Sequence, residues 1–366
     1  MTKPETRPST GAPARSRPPE VQLATTPIVR RSLPRWAPWG VLGAAAVLVG
    51  GLLLLTDWSL GLFVVGTVVL TAIGLYAWSR SVEGSRRATD RLVTVIVTAA
   101  FLLALLPLVS VVYTVVSKGA ARMDADFFTN SMRGVVGEGG GAYHAIMGTL
   151  VITGLATLIS VPVGLLTAIY MVEYGRGRLR RAVTFFVDVM TGIPSIVAGL
   201  FAYALLALIL GPGIRLGIGG AIALSVLMIP VVVRSTEEVL KIVPNELREA
   251  SYALGVPRWR TITKVVLPTA VAGIASGVTL SIARVIGETA PLLVIAGLAT
   301  STNFNPFDGR MATLPVFAYQ SYASPGVPRE PFIDRAWAAA LVLIVIVMVL
   351  NLTARLIARL FAPKTR

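Results

Sequence analysis

Three ionisable side chains lie inside long apolar segments of the sequence: Asp188, Arg284 and Glu288. A charge at bilayer depth costs at least about 2.5–3.5 kcal/mol on insertion scales, so each is a candidate functional residue. Arg284 and Glu288 are four residues apart, a spacing that predicts one helix face and allows an ion pair. The guanidinium stays charged and its planar donors match the oxygens of an oxyanion. A purely structural ion pair, with or without Asp188, explains the same residues.

A second hypothesis gives Glu288 a role in anion transport, beyond the ion pair with Arg284. A carboxylate beside the arginine weakens anion binding, and a path that holds its ion too tightly does not conduct. In this hypothesis Glu288 holds Arg284 in position and releases it when the anion arrives.

The segment Thr191–Ser195 interrupts an apolar run with Gly192 and Pro194. Such a break leaves backbone groups unpaired unless it lines a cavity or a neighbour supplies partners. We therefore expect a broken helix beside a polar path, where helix N-terminal amides and the Ser195 hydroxyl assist an anion. A packing kink of small residues at a helix interface is the alternative.

The sequence gives no support for catalysis or metal binding by this chain. Its one histidine, His144, has no second ligand nearby, so an interfacial role is expected. No cysteine occurs, and the intramembrane hydroxyls lack a histidine base within a recognisable motif. No GxxxxGK(S/T) phosphate loop is present either. We expect no cofactor and no metal here, and ATP with its Mg²⁺ must be bound by another polypeptide.

The elements that must position these side chains are membrane-spanning helices. Hydrophobic residues make up 55% of the 366 residues and charged residues 14%, and the mean hydropathy is +0.76, too apolar for a soluble domain. A helix needs roughly 20 residues to cross a bilayer. Eight apolar stretches come close to or exceed that length: 37–56, 59–78, 92–116, 145–171, 182–210, 218–234, 269–298 and 336–360. The predicted fold class is an all-α, polytopic helical membrane bundle.

The basic residues indicate how these spans are oriented. The formal net charge is +15, and 25 of the 33 Lys and Arg fall on alternate connections. Those connections are 1–36, 79–91, 172–181, 234–268 and the C-terminal end from Arg355. The positive-inside rule therefore predicts that both termini and the 234–268 connection are cytoplasmic. A nucleic-acid role would need a folded basic surface with aromatic or groove-fitting residues, and no basic segment provides one.

The chain divides into three predicted parts. Residues 1–36 are rich in Pro, Thr, Ser and Arg and predict a disordered cytoplasmic tail. Residues 37–91 predict a two-span hairpin, joined at Asp57 and Trp58, with a basic linker. Residues 92–366 predict a six-span core. Two outer loops, 117–144 and 299–335, are too long for hairpin turns, and they either contact an external partner or simply connect spans.

The connection between the predicted spans 218–234 and 269–298 has the pattern of a helix-turn-helix at a membrane face. Its residues are Glu249-Ala250-Ser251, a three-residue gap, Gly255, and then Leu267-Pro268. Pro244 favours a first helical turn, and Gly255 stands where a left-handed C-terminal cap is needed. A second helix is predicted over 258–266, and Pro268 predicts its end and the start of the next span.

Helical spacing predicts which side chains of this connection are exposed. Leu247, Ala250, Ser251 and Leu254 fall on one face, which leaves Arg248 and Glu249 among the more exposed residues. The spacing resembles the coupling loop, or EAA loop, of permease subunits in bacterial ABC importers, which docks on an ATP-hydrolysing subunit. The resemblance implies coupling roles within 245–268 for Glu249, Ala250, Ser251, Gly255, Leu267 and Pro268.

A second resemblance is carried by Ser281–Leu293, which includes Gly287-Glu288-Thr289-Ala290-Pro291. This segment is similar to the signature of phosphate importer permeases of the PstA type, and Ala290-Pro291 favours PstA over the paralogous PstC type. Thr191–Phe201 and Ala336–Leu341 are similar to that family too. The resemblance covers 92–366. It implies transport roles for Arg284 and Glu288, which match an Arg and a Glu of the family. The expected substrate path comprises Arg284, Glu288, Asp188, Ser195 and Thr289.

The resemblance implies a six-span type I permease core, with the 37–91 hairpin added, in the bacterial inner membrane. Such a subunit imports inorganic phosphate together with a PstC-like subunit, two ATPase subunits and an extracytoplasmic phosphate-binding protein. It contacts lipid but no nucleic acid. The alternatives are a permease for another oxyanion (sulfate, molybdate or a phosphonate), an intramembrane enzyme, and a passive anion channel.

Overall fold

The computed structural model describes residues 32–55 and 59–361, with side chains as far as residue 356. Most of the tail predicted over 1–36, and the connection at Asp57 and Trp58, lie outside the described residues. The chain forms two compact units, Met1–Leu108 and Val109–Arg366. The division falls inside one long helix, and the part boundaries at residues 36 and 91 stay predictions.

The first unit contains the helices α1 (Ala37–Leu54) and α2 (Leu60–Val82) and the first part of α3 (Ser85–Gly119). The helices α1 and α2 pack side by side through small residues. A Cβ on Gly66 would lie only 3.0 Å from Cγ1 of Val49, so the glycine allows the close approach. Within the first unit α1 and α2 therefore lie against each other, while the hairpin as a separate part of the chain stays a prediction.

The second unit contains the end of α3 and eleven further helices within its described part. They are α4 (Ala125–Thr129), α5 (Tyr143–Ile169), α6 (Gly177–Thr191), α7 (Ser195–Leu210), α8 (Gly217–Ile242), α9 (Asn245–Ala253), α10 (Arg258–Thr261), α11 (Leu267–Val285), α12 (Ala290–Ile295), α13 (Leu314–Ala323) and α14 (Glu330–Phe361). Two π-helical turns occur, Tyr170–Tyr174 directly after α5 and Ile262–Val266 between α10 and α11.

The central element of this unit is α8, which packs against α5, α7 and α11. The core at its middle is aliphatic and consists of Ile152, Ala156, Leu224, Met228, Val232 and Val285 with their neighbours. Seven described helices are long and apolar enough to cross a membrane, or eight when α6 and α7 count as one span. The prediction of an all-α polytopic bundle is confirmed.

Two predicted spans are broken, and the breaks have the same cause. The axes of α6 and α7 differ by 108°, so 182–210 is not one straight helix. Likewise α11 ends at Val285, and 269–298 continues only after a turn as α12. In both cases a proline stands at the start of the helix after the break: Pro194 directly precedes α7, and Pro291 is the second residue of α12. A proline has no N–H to donate and its ring clashes with the preceding turn, so a helix cannot continue regularly through it.

Candidate functional site

The predicted coupling loop begins with α9, and local hydrogen bonds fix its end. Gly255 has φ +74°, the left-handed conformation that glycine adopts without strain. Its N–H donates to the Tyr252 carbonyl (2.9 Å), and the Val256 N–H donates to the Ser251 carbonyl (3.2 Å). These two bonds form a Schellman cap. The predicted left-handed cap is confirmed.

The second half of the loop differs from the prediction. A boundary was expected at Pro268, yet Arg258–Val285 is one continuous helix of 28 residues. The π turn Ile262–Val266 lies directly before Pro268. Its wider i→i−5 winding accommodates a residue that has no N–H to donate. Leu267 and Pro268 therefore join the loop to the span instead of separating them.

Arg248 is buried, although the helical spacing predicted an exposed side chain. Its side chain is 12% exposed, and its guanidinium donates twice to the Glu173 carboxylate, at 3.1 and 2.9 Å. It also donates to the carbonyls of Leu240 (3.0 Å) and Val243 (2.6 Å). Glu173 lies in the first π turn and is 7% exposed. Arg248 therefore clamps α9 to the ends of α5 and α8.

Most of the remaining loop residues are exposed, and they include large apolar side chains. Leu254 is 83% exposed and Trp259 58% exposed, and Leu247, Glu249 and Ala250 are exposed too. Ser251, predicted on the same face as Leu247 and Leu254, is buried. Its hydroxyl lies 2.8 Å from the Thr261 hydroxyl, which joins α9 to α10. Its burial agrees with the prediction that this face is less exposed than Arg248 and Glu249, whereas Leu247, Ala250 and Leu254 of the same face are exposed.

Arg284 and Glu288 do not share a helix face. Arg284 lies in the last turn of α11 and is exposed, whereas Glu288 follows the end of the helix and is half-buried. The Glu288 N–H donates to the Val285 carbonyl (3.1 Å), which turns the chain away from the helix axis. In the described part of the chain no ion pair joins the two side chains. The predicted i, i+4 pair fails because α11 ends first.

Asp188 pairs with a residue that the sequence did not indicate. Its carboxylate accepts a hydrogen bond from Arg234 of α8, and Arg234 donates also to Glu237 (2.7 Å). The other Glu237 oxygen accepts from Lys241 (2.8 Å). Four charges thus connect α6 to α8. They were missed because α8 was expected to end at residue 234; the i, i+3 and i+4 spacing of 234, 237 and 241 was the available signal.

The two segments that carry the family resemblance lie against each other. A Cβ on Gly199 of α7 would stand 2.6 Å from the Cα of Pro291 in α12. Two hydroxyl residues lie close in sequence to this contact and are half-buried. Ser195 is the first residue of α7, four residues before Gly199, and Thr289 directly precedes α12, two residues before Pro291. The breaks therefore form a seam of α7 and α12, and a glycine allows its close approach.

Residues 160–366 match the family described as binding-protein-dependent transport system inner membrane component. This chain is 48% identical to the phosphate transport system permease protein PstA 1 of Mycobacterium tuberculosis (strain CDC 1551 / Oshkosh). The alignment covers 77% of this chain and 92% of the relative's length. The chain belongs to the PstA permease family. The PstA protein of Mycobacterium leprae is also 48% identical, over 75% of this chain and 90% of its own.

A solved structure agrees with the fold of this PstA permease. A chain of a bacterial alginate ABC transporter, in complex with an alginate-bound periplasmic protein, superposes with a TM-score of 0.55. The superposition covers 76% of this chain and 97% of the transporter chain. The sequence identity is 16%, so the match shows the fold alone.

His144 of this PstA permease is a core residue, not an interfacial one as its position in the sequence predicted. It is 2% exposed, and its ring centroid lies 5.3 Å from that of Phe317 in an edge-to-face contact. The sequence could not indicate this because α13, which carries Phe317, is far away in the chain. Among the described residues no group of three or more His, Asp or Glu could hold a metal ion.

Proposed function

We propose that this chain is the membrane subunit of an ATP-driven importer of inorganic phosphate. It forms half of the translocation path with a PstC-like subunit and docks one of two ATPase subunits on its α9–α10 surface. Support for the cargo comes from relatives at 48% identity whose names specify phosphate transport. The single observation that carries the mechanism is the continuous helix Arg258–Val285.

That helix connects the coupling surface to the substrate-path residues. With a rise of about 1.5 Å per residue, 28 residues span about 42 Å. Its first turns belong to the exposed loop, and Arg284 lies in its last turn. Closure of the ATPase dimer around ATP and Mg²⁺ moves α9 and α10, and the helix transmits this motion to Arg284 as a rigid body. The α9 clamp of Arg248 and Glu173 carries the same motion into α5 and α8.

The substrate-path residues contribute electrostatics, not covalent chemistry. Arg284 is exposed and forms no ion pair among the described residues, so its guanidinium is free to contact a phosphate dianion. Glu288 follows four residues later and limits how tightly the anion is held. Ser195 and Thr289 provide hydroxyls at the seam of α7 and α12. Asp188 has a different role, because its bond to Arg234 ties the bent α6–α7 segment to α8.

The surroundings of the subunit are part of the same proposal. The clustering of 25 of 33 Lys and Arg on alternate connections supports a bacterial inner-membrane protein with both termini in the cytoplasm. The coupling loop then faces the ATPase subunits. An extracytoplasmic phosphate-binding protein delivers the anion to the opposite face, where 117–144 and 299–335 form the outer loops.

Transport of labelled phosphate and sulfate tests the cargo. We expect proteoliposomes with the complete importer and its binding protein to take up phosphate in preference to sulfate, and only with ATP. A preference for sulfate, molybdate or a phosphonate would overturn the cargo, and uptake without ATP would indicate a passive channel.

Arg284→Gln tests the proposed contact with the anion. We expect uptake to fall by more than about a hundredfold, because the loss removes a charge-assisted pair at bilayer depth, while the complex still assembles. Unchanged uptake would overturn the role of Arg284. A variant that fails to assemble in a detergent pull-down would show that the residue is structural.

A further inference from the structure

Two arginines lie side by side at the end of α8 that is opposite to the coupling loop. Arg215 lies two residues before the first residue of α8, and Arg310 lies in the loop between α12 and α13. A Cβ on Gly297 would lie 3.0 Å from the Cδ of Arg215 and 3.5 Å from the Cδ of Arg310. Both side-chain stems therefore pass over the same glycine, which has φ +74°.

Backbone hydrogen bonds hold both arginines in place. The residue after the first arginine, Leu216, donates its N–H to the Ile295 carbonyl (3.1 Å). The residue after the second, Met311, donates its N–H to the neighbouring Ala296 carbonyl (3.1 Å). Leu216 is 5% exposed and Met311 is 1% exposed, so each arginine is the last exposed residue before the core. The carbonyls of the last residue of α12 and of the residue after it thus fix two separate loops at one point.

The charges of these two side chains are not neutralised within the described residues. Both guanidinium groups are exposed, and neither forms an ion pair there. Asp308 is the nearest carboxylate in sequence to Arg310 and lines the same cavity, without an ion pair between them. The two adjacent positive charges repel each other, and an anion bound between them offsets the repulsion energy.

The space beside Arg310 is large and has a mixed lining. It is an open cavity of about 810 Å³, lined in part by the apolar side chains of Met132, Leu298, Phe317 and Phe332. The rest of its lining includes hydroxyl and amide side chains: Thr300, Ser301, Thr302, Asn303, Gln320 and Ser321. Such groups can solvate an anion that retains part of its hydration. The cavity lies on the same face as the two outer loops, so an anion released outside the membrane can reach it.

We propose that Arg215 and Arg310 form a capture site for the incoming oxyanion, inorganic phosphate, ahead of Arg284. The site rests on the proposed function and adds an outer step to it. The connecting element is α12, whose six residues span about 9 Å. Glu288 and Thr289 lie before this short helix and Gly297 lies after its end. An anion held by two guanidinium forks is therefore one short helix away from the substrate-path residues.

The test uses the complete importer in proteoliposomes and the double variant Arg215→Gln/Arg310→Gln. We expect phosphate uptake to fall about tenfold for each lost charge-assisted bond. The concentration of binding protein that half-stimulates ATP hydrolysis should stay unchanged. Arg133→Gln/Arg329→Gln is the matched control, because it removes two exposed, unpaired arginines of the described outer loops; its uptake should stay within twofold.

Several outcomes would overturn the capture site. Unchanged uptake in the Arg215/Arg310 variant would do so, and so would an equal loss in the control. A raised binding-protein requirement with unchanged maximal uptake would show that the pair docks an acidic protein surface. If the glutamine variant fails to assemble, Arg215→Lys/Arg310→Lys replaces it: it keeps the charges but not the forks, and unchanged uptake would then overturn the proposal.

Uptake by the wild-type importer distinguishes a failure of the capture site from a failure of the proposed function. If the wild-type importer carries sulfate and not phosphate, the assigned cargo is wrong. The capture site is then judged on sulfate: a loss of sulfate uptake in the Arg215/Arg310 variant supports an oxyanion site, and no loss overturns it.

Discussion

The coupling loop and the seam of α7 and α12 are stabilised in opposite ways. The loop is fixed by hydrogen bonds: the cap at Gly255, the Ser251–Thr261 contact, and the four-way clamp of Arg248. The seam depends on close packing of Gly199 against Pro291, at the breaks of two spans. In the proposed mechanism the loop receives force and has to be rigid, whereas the seam opens to an anion and has to separate without breaking many polar bonds.

The largest effect is expected from Gly255→Pro in the loop. Proline cannot adopt φ +74° and has no N–H for the Tyr252 carbonyl, which costs at least about 3 kcal/mol. Docking of the ATPase subunit should weaken by more than about a hundredfold while membrane insertion is unchanged. A detergent pull-down with the ATPase measures this, and normal assembly would count against a rigid loop.

Gly255→Asn is the matched control for that variant. Asparagine tolerates the left-handed region and retains the N–H, so docking should stay within about fivefold of wild type. Glu249→Arg leaves the backbone unchanged and reverses an exposed charge. We expect it to weaken docking as well, since the α9 surface is the proposed contact.

The same contrast explains what the sequence could predict. The approximate positions of the spans, the helix before Gly255 and the left-handed Gly255 follow from local composition and spacing and are found. The single span over 269–298 and the boundary at Pro268 are not found. The clamp of Arg248 joins residues 75 positions apart, and the contacts of Gly199 with Pro291 and of Asp188 with Arg234 are likewise long-range. No local pattern encodes such pairs, so Arg248 was expected to be exposed and Arg284 to pair with Glu288.

A smaller loss is expected from Arg248→Ala, which removes a long-range contact that holds the loop to the π turn after α5. Glu173 would remain nearly buried without its partner, at a cost of about 2 kcal/mol. Phosphate uptake per ATP hydrolysed should fall about thirtyfold. In a double-mutant cycle with Glu173→Ala, the free-energy equivalent of the double variant's loss of uptake should be clearly smaller than the sum for the two single variants. Additive losses would mean that the clamp does not transmit the motion.

Gly199→Ala tests the seam with one methyl group. The new Cβ would meet the Pro291 Cα at 2.6 Å, a backbone atom that cannot rotate away, which costs about 1–3 kcal/mol. Uptake should fall about tenfold, while ATPase docking stays unchanged because the loop is unaffected. Gly154→Ala is the control: no atom lies within 4 Å of its Cβ position, so uptake should not fall. Equal losses in both variants would exclude a specific seam.

The smallest effect is expected outside both regions, at Glu83 in the first unit. Its carboxylate is 1% exposed and accepts from Arg91 at 2.7 and 2.9 Å. It also accepts from the Ser79 hydroxyl and the Leu33 N–H, both at 2.8 Å. The bond from Arg91, more than any other contact, lowers the pKa of Glu83 to about 2, against the opposing effect of burial.

Because the pKa of Glu83 is lower in the folded chain, its stabilisation is complete above the unfolded value of about 4.3 and disappears as the pH falls toward 2. The chain has no cysteine, so Ser32→Cys introduces a unique site for a spin label beside Leu33. The label should be immobile above about pH 5 and become mobile between about pH 4 and 2. Glu83→Gln should make it mobile at every pH, at a cost of about 1 kcal/mol, and leave uptake within twofold. A large loss of uptake would show that transport depends on this ion pair too, and that the contrast between loop and seam is incomplete.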